Sequence, residues 1–328
     1  MTVSRRDLLK AAAAAHALAL PGSGALAQAA GYPNRGLLSV GSFAPGTGAD
    51  IAVRFYSEKL SGVIGKPVTV DPKVGVGGTI AAAFAARAKP DGHTIYLSPS
   101  STVLAAARAL YKTLNYDPVN DFLSVLGVFK TAFILLVPRS APYNTVAELT
   151  EHLRAKGDKA SYGTATLTGR VAAELYKAQF GLSAVEVPYK SGVIAMNDMA
   201  SGLFDFYYTD TGTAKAQIAP GGKLKALCVT SAARMESLPD VPGAAEAGLK
   251  MDFVAYSGLH MPAGTPRPII DQLTAWMEPI ASGADAKRFL STLGYDPWLV
   301  NAKGVNDMLE RETKNWADYV RLAKIEQQ

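Results

Sequence analysis

From about residue 36 onward, the chain alternates between short runs of apolar residues and longer segments in which apolar residues recur at helical spacing. Short apolar runs such as GLLSVGSF at 36–43 are typical of buried strands. Between these runs lie segments with apolar residues at helical spacing, such as GADIAVRFYSEKLSGVIG at 48–65, which ends at a glycine. The alternation predicts successive β-α-β units, and therefore a parallel sheet flanked by helices.

A second alternating unit begins near residue 131 with the apolar run TAFILLVP, and a mostly helical tail follows from about residue 265. In the second unit, Thr145 and Glu148 have the spacing of a capping box, which predicts a helix start there. Apolar segments at 123–130 and 253–262 flank this unit on both sides. If they pair, they form a two-stranded hinge between two lobes. Two consecutive domains remain the alternative.

The first 30 residues have the composition of an export signal. Twin arginines at 5–6 are followed by a short Ala-rich apolar stretch and by the small residues of Ala25–Ala27. We predict a signal peptide over 1–28, of the twin-arginine type or alternatively a Sec signal. Cleavage near Ala27–Gln28 would then release a periplasmic protein.

Composition narrows the class of protein further. The chain has 328 residues, of which 48% are hydrophobic and 19% charged, which is long enough for two α/β domains. Its single cysteine, Cys228, cannot form an intrachain disulfide and lies in an apolar run that predicts a buried strand. The net charge of +5 is small and dispersed, so we expect no nucleic acid partner.

Residues for catalysis or metal binding are not grouped in the sequence. His93, His152 and His260 have no His, Cys or paired carboxylate at metal-ligand spacing, and we expect no metal and no cofactor. Nucleophilic hydroxyls occur at 98–102, but no general base is placed beside them by the sequence. The glycines of GVGGT at 75–79 do not match a dinucleotide fingerprint, because the last position is Ile80.

Small and hydroxylated residues recur where the predicted strands end. Such residues occur at 46–48, 75–79, 98–102, 164–168 and 209–213. In open α/β sheets, ligands bind beyond the carboxyl ends of the strands, and neutral donors at helix starts suit a carboxylate. The same residues are also common in turns and caps for backbone reasons alone. With no acid–base pair among them, the pattern favours a binding site over a reaction centre.

Several sequence blocks in a fixed order resemble the Bug family, the periplasmic solute receptors of tripartite tricarboxylate transporters. The resemblance runs from about Tyr32 to the C-terminus and includes YPNRGLLSVGSFAPGTGAD, GKPVTVDPKVGVGGTIAAAFAARAKPDGHTIYL, VEVPYKSG and MPAGTPRPIIDQL. It implies a type II periplasmic-binding-protein fold, with two α/β lobes around a cleft joined by two hinge strands. Lobe 1 would comprise 31–128 and 257–328, and lobe 2 would comprise 129–256.

The resemblance also implies how a ligand is held. One ligand carboxylate would be bound by the first strand-to-helix loop and by a loop of the second lobe, largely through backbone N–H groups. The predicted ligand-binding residues are Phe43, Ala44, Pro45, Gly46, Thr47, Gly48, Asp50, Ser98, Ser100, Ser101, Thr164, Ala165, Thr166, Thr168, Arg170, Tyr208, Thr209 and Asp210.

Arg170 and the segment YYTD at 207–210 depart from the family pattern and leave alternatives open. Arg170 is either a clamp on a second ligand carboxylate or a solvated arginine at a helix start. Tyr207 or Tyr208 could stack on an aromatic acid, although alternation along a strand buries one of them in the core. We expect a mono- or dicarboxylate, with di- or aromatic carboxylates favoured, rather than a tricarboxylate.

The resemblance implies a monomeric receptor that delivers a small organic carboxylate to the membrane permease subunits of a tripartite transporter. Two other functions remain open. The protein could report the presence of ligand to a signalling partner, or it could be an exported enzyme that uses the same cleft.

Overall fold

The structure is a computed structural model that describes residues 31–328, so the predicted signal peptide and its cleavage site lie outside the described residues. Within this range the chain forms ten strands and ten α-helices. The strands are β1 (Leu37–Gly41), β2 (Val68–Pro72), β3 (Thr94–Ser98), β4 (Phe122–Pro138), β5 (Ser161–Thr164), β6 (Val185–Pro188), β7 (Phe206–Asp210), β8 (Leu224–Val229), β9 (Val254–Pro262) and β10 (Asp296–Asn301). The helices are α1 (Gly48–Ile64), α2 (Thr79–Ala86), α3 (Ala107–Leu110), α4 (Val146–Lys156), α5 (Leu167–Phe180), α6 (Gly192–Ala200), α7 (Thr211–Ile218), α8 (Arg267–Ser282), α9 (Ala284–Leu293) and α10 (Ala302–Leu322).

The helices begin and end at the residues that local chemistry favours. Thr47 caps α1 by accepting a hydrogen bond from the N–H of Asp50, and α1 ends where Gly65 adopts a left-handed conformation with φ of 63°. The predicted helix start at Thr145 is confirmed, since its hydroxyl accepts from the N–H of Glu148. These contacts are all within a few residues of the helix ends, which is why the sequence indicates them.

The sheet repeats one strand order in each half of the molecule. In the first half β2, β1 and β3 are parallel neighbours, and β9 runs antiparallel beside β3. In the second half β6, β5 and β7 are parallel neighbours, and β4 runs antiparallel beside β7. The α/β class and the periplasmic-binding-protein fold expected from the sequence are confirmed.

The two halves are joined by β4 and β9, which pair in antiparallel fashion from Phe122 opposite Pro262 to Ala132 opposite Val254. This is the pairing predicted for the hinge. The sequence suggested separate segments at 123–130 and 131–138, but they form the single strand β4. Register shifts occur in its pairing to β9, between Ser124 and Leu126 and between Gly127 and Phe129, and in its pairing to β8, between Leu135 and Leu136, and the strand continues through them. The lobe boundaries themselves stay a prediction.

Strand β10 lies in the tail that the sequence predicted to be mostly helical. It pairs antiparallel with β4, with Asp296 opposite Lys130 and Asn301 opposite Leu126. The segment therefore returns to the strand that joins the two halves. Cys228 is buried in β8, as the sequence predicted.

Candidate ligand-binding site

The first strand-to-helix loop, at 43–50, is braced by the helix that it begins. The Thr47 hydroxyl donates to the carbonyl oxygen of Ala44 at 2.9 Å, and the buried Asp50 carboxylate accepts from the N–H of Gly46 at 3.0 Å. The same carboxylate is paired with Arg54 at 2.9 Å. These bonds leave the amides of Gly48 and Ala49 with no acceptor within residues 31–328. The first turn of α1 can therefore donate to an anion.

Predicted residues from the two halves of the sheet meet at this first turn. A Cβ placed on Gly48 would lie 3.2 Å from Oδ1 of Asp210 and 2.1 Å from the hydroxyl oxygen of Tyr295. The Tyr295 hydroxyl donates to the same Asp210 oxygen at 3.0 Å. Asp210 itself caps α7 by accepting from the N–H of Thr213 at 3.0 Å. The first turns of α1 and α7 are thus in close contact, and only a glycine fits at position 48.

The loop at 164–170 lies against the same end of β7. A Cβ placed on Gly169 would lie 2.5 Å from the carbonyl oxygen of Tyr208, so the start of α5 packs directly on the backbone of that strand. Thr166 caps α5 by accepting from the N–H of Gly169 at 3.1 Å, and its hydroxyl lies 3.1 Å from that of Thr168. The structure therefore brings together the loop at 43–50, the end of β7 and the loop at 164–170.

Arg170 is paired with a neighbouring carboxylate. Its Nε lies 3.0 Å from Oε2 of Glu186 on β6, and the other carboxylate oxygen of Glu186 accepts from the hydroxyl of Thr164 at 2.7 Å. The Arg170 side chain is 40% exposed, so this pair contributes little to stability. Both sequence alternatives, a clamp on a ligand carboxylate and a solvated arginine at a helix start, stay predictions. Glu186 would have to release or share the guanidinium before Arg170 could hold a ligand carboxylate.

Two of the three predicted serines, Ser100 and Ser101, bond to the hinge strand β9 through their side chains. The hydroxyl of Ser100 accepts from the N–H of Gly258 at 3.0 Å and lies 2.7 Å from Nε2 of His260, both on β9. The hydroxyl of Ser101 accepts from the N–H of Tyr256 at 2.9 Å, while the hydroxyl of Ser98 is buried without a partner among residues 31–328. Ser100 and Ser101 are fully buried and their hydroxyls are already hydrogen-bonded, so the proposed site does not include them.

The exported-enzyme alternative needs a general base beside Ser98, Ser100 or Ser101. His260 lies in that position, with its Nε2 2.7 Å from the Ser100 hydroxyl. Burial lowers the pKa of His260 to about 3, which keeps the ring neutral. However, neither His260 nor Ser100 has any exposed surface, and the serine hydroxyl is engaged by Gly258. The pair has the distances of a nucleophile and its base, but a substrate has no access to it.

Both candidate stacking tyrosines are buried. The sequence expected alternation to bury one of Tyr207 and Tyr208, but each is only 1% exposed. Tyr207 packs in one hydrophobic cluster with Met196 and Phe204, and Tyr208 packs in another with Tyr176 and Phe206. Both faces of β7 are covered by other elements, so neither ring can stack on a ligand in this conformation.

Tyr295 and Glu186 contact the candidate site residues Asp210 and Arg170, and the sequence predicted neither contact. Tyr295 follows the Gly294 that ends α9, and nothing in its neighbourhood along the chain indicates a contact with Gly48 or Asp210. Glu186 lies within the quoted block VEVPYKSG, but its partner Arg170 is identified only by the pairing of β5 with β6.

Two grooves lie away from these loops and include none of the predicted residues. One, of 760 Å³, runs along α2 and includes Ile80 and Phe84, and the other, of 980 Å³, lies between α8 and α10. Across residues 31–328, no group of three or more His, Cys, Asp or Glu residues is arranged to hold a metal ion. Over the same range, no helix is long and apolar enough to cross a membrane.

Comparison with known proteins identifies the family. The sequence profile of the tripartite tricarboxylate transporter family receptor matches residues 52–324. The chain belongs to this family. A relative from Pseudomonas sp. (strain P51), the UPF0065 protein in the tcbD–tcbE intergenic region, is 31% identical over 87% of this chain and 85% of its own length.

Two solved structures have the same fold. "R. palustris Rpa4515 with adipate" has a TM-score of 0.82 and 27% identity, covering 90% of this chain and all of the other. The periplasmic binding protein BugD has a TM-score of 0.79 and 28% identity, again over 90% of this chain and 100% of its own. The Bug-family resemblance is therefore confirmed, and the chain is a periplasmic solute-binding receptor of this family.

Proposed function

We propose that this Bug-family receptor captures a small organic carboxylate at the starts of α1, α5 and α7 and delivers it to the membrane subunits of a tripartite transporter. The observation that carries the proposal is the meeting of these three helix starts, one from the first half of the sheet and two from the second. Helix N-termini favour anions because their first N–H groups have no partner within the helix. The adipate complex of a receptor with the same fold supports a carboxylate ligand.

The charges near these helix starts favour a ligand with one or two carboxylates. Arg54 is paired with Asp50, and Arg170 is paired with Glu186. Asp210 is held only by neutral donors, from Thr213 and Tyr295. Neither arginine is without a carboxylate partner, so neither is available to balance a third ligand carboxylate in a desolvated site.

Thermal unfolding with three acids tests the ligand class. Adipate, benzoate and citrate represent the dicarboxylate, the aromatic monocarboxylate and the tricarboxylate. An acid present at 100 times its dissociation constant stabilises the folded state by about 2.7 kcal/mol. We expect adipate or benzoate to raise the unfolding temperature and citrate to have no effect. No shift with any of the three, or a shift with citrate alone, would contradict the proposed ligand class.

A pair of threonine variants tests the location. Thr168→Val removes a half-buried hydroxyl at the proposed site, and Thr313→Val removes a half-buried hydroxyl that donates within α10. Loss of a charge-assisted hydrogen bond of about 1.5–3 kcal/mol should weaken the responding acid roughly 10- to 100-fold in the first variant. The second variant should bind as the parent does. Equal affinity in all three proteins would place the ligand elsewhere.

Delivery is tested in cells. Deleting the membrane subunits should abolish uptake of the responding acid while leaving its binding to the purified receptor unchanged. Uptake that persists without those subunits would contradict delivery and favour the sensing alternative.

A further inference from the structure

Tyr295 occupies the contact between the two helix starts. A Cβ placed on Gly48 would lie 2.1 Å from its hydroxyl oxygen, and a Cβ placed on Gly212 would lie 2.7 Å from the same oxygen. The ring is 2% exposed and stacks on Phe129 of β4, with centroids 5.3 Å apart and planes 7° apart. The hydroxyl can therefore lie between α1 and α7 only because both helices have glycine at the contact.

The residues around Tyr295 also bond to the second half of the molecule. The Thr211 hydroxyl at the start of α7 donates to the carbonyl oxygen of Gly294 at 2.7 Å. The buried Asp296 carboxylate accepts from the N–H groups of Glu236 at 3.0 Å and Ser237 at 2.9 Å. The segment 294–296 thus makes three successive contacts with residues from Asp210, at the end of β7, to Ser237, which precedes β9. Only the Tyr295 contact also reaches the first turn of α1.

The Tyr295 hydroxyl is a desolvated donor to a carboxylate. Burial, followed by the nearby Asp210 charge, raises the pKa of Tyr295, so the phenol stays protonated and able to donate. A second tyrosine of the same aromatic stack provides a contrast. Tyr56 also stacks on Phe129, with centroids 6.2 Å apart, but its buried hydroxyl has no partner within residues 31–328.

We propose that Tyr295 is a positioning residue that holds the first turn of α1 against the first turn of α7. It thereby keeps the N–H groups from the two halves of the sheet aimed at one bound carboxylate. The hydroxyl acts through Asp210, which caps α7, and through its close packing on Gly48. This inference rests on the proposed function for its effect on affinity, but its effect on the distance between α1 and α7 does not require a ligand.

Distance measurement between two spin labels tests the inference in the ligand-free protein. Exposed positions on the two helices, Glu58→Cys on α1 and Ala216→Cys on α7, carry the labels in a Cys228→Ala background. We expect Tyr295→Phe to lengthen or broaden the label-to-label distance. Tyr56→Phe removes a hydroxyl from the same stack and should leave the distance unchanged. Identical distributions for the parent and Tyr295→Phe would overturn the inference.

Two further variants separate positioning from general packing. Asp210→Ala removes the acceptor, so adding Tyr295→Phe to it should change the distance by less than Tyr295→Phe changes it in the parent, because only the packing on Gly48 is left to lose. Asp210→Asn keeps an acceptor oxygen and should stay near the parent. Additive effects of Tyr295→Phe and Asp210→Ala would contradict action through this bond.

Affinity is the second readout. If adipate binds the parent, Tyr295→Phe should weaken adipate by about tenfold or more, as expected for loss of a hydrogen bond to a charged group, while Tyr56→Phe should not. An unchanged affinity with a lengthened distance would refute the link to binding. A parent that binds none of the three acids, with the distance change intact, would refute the proposed function and not the positioning by Tyr295.

Discussion

Acidification should destabilise the protein through His260, a histidine with no exposed surface. Its Nε2 lies 2.7 Å from the Ser100 hydroxyl and its Nδ1 lies 3.4 Å from that of Ser124. The rings of Tyr96 and Phe122 lie at centroid distances of 6.4 and 6.2 Å. These neighbours are neutral, so nothing among them compensates a charge on the imidazole, and burial lowers its pKa to about 3.

The sign and size of the effect follow from linkage. The folded state takes up this proton only near pH 3, whereas the unfolded chain takes it up near pH 6.5. Between these values the unfolded state binds more protons, so stability falls as the pH is lowered and the loss stops below about pH 3. From pH 7.5 to pH 5, this one group should lower the free energy of unfolding by about 2 kcal/mol.

Urea denaturation at pH 7.5, 6 and 5, followed by tryptophan fluorescence, measures the effect. His260→Gln removes the titrating ring and keeps a polar side chain at the same place. The other titrating groups are common to both proteins, so the difference between their pH slopes isolates His260. The parent should lose about 2 kcal/mol more than the variant between pH 7.5 and pH 5. Parallel slopes would refute the claim that this histidine is buried in its neutral form.

Two further predictions concern packing and burial. Gly48→Ala places a Cβ 2.1 Å from the Tyr295 hydroxyl and should destabilise the protein, whereas Gly62→Ala, in the same helix with open space around it, should stabilise by about 0.5–1 kcal/mol in the same urea titration. Equal effects would contradict the close approach at Gly48. Burial raises the pKa of Cys228 to about 12, so a thiol reagent at pH 8 should modify it only after unfolding, and rapid labelling of the native protein would contradict its burial.

Features governed by neighbouring residues could be predicted well from the sequence. The helix start at Thr145 and the helix end at Gly65 depend on groups within four residues. The alternation of strand and helix gave the α/β class for the same reason. The family-specific sequence blocks then identified the family and its fold.

Features that depend on distant partners could not be predicted. The hydrogen-bond partner of Ser100 is His260, which lies 160 residues away in the chain. The sequence predicted the Ser100 hydroxyl as a ligand contact, but this hydroxyl is bonded to the hinge strand β9. Arg170 looked like a possible clamp because Glu186 approaches it only when β5 and β6 pair. Strand β10 was missed because its pairing with β4 lies far along the chain.

The sequence alone determined the alternation of strands and helices up to the helical tail, the helix start at Thr145, the helix end at Gly65 and the glycine- and threonine-rich loops at the strand ends, because each is fixed by a local pattern of residues. Only the tertiary structure decided which of these loops meet. Gly48 and Asp210 come together because β4 and β9 join the two halves of the sheet, and Tyr295 bonds to Asp210 across 85 positions of the chain. Contacts of this kind depend on how the strands pair and pack, which no local pattern of residues encodes.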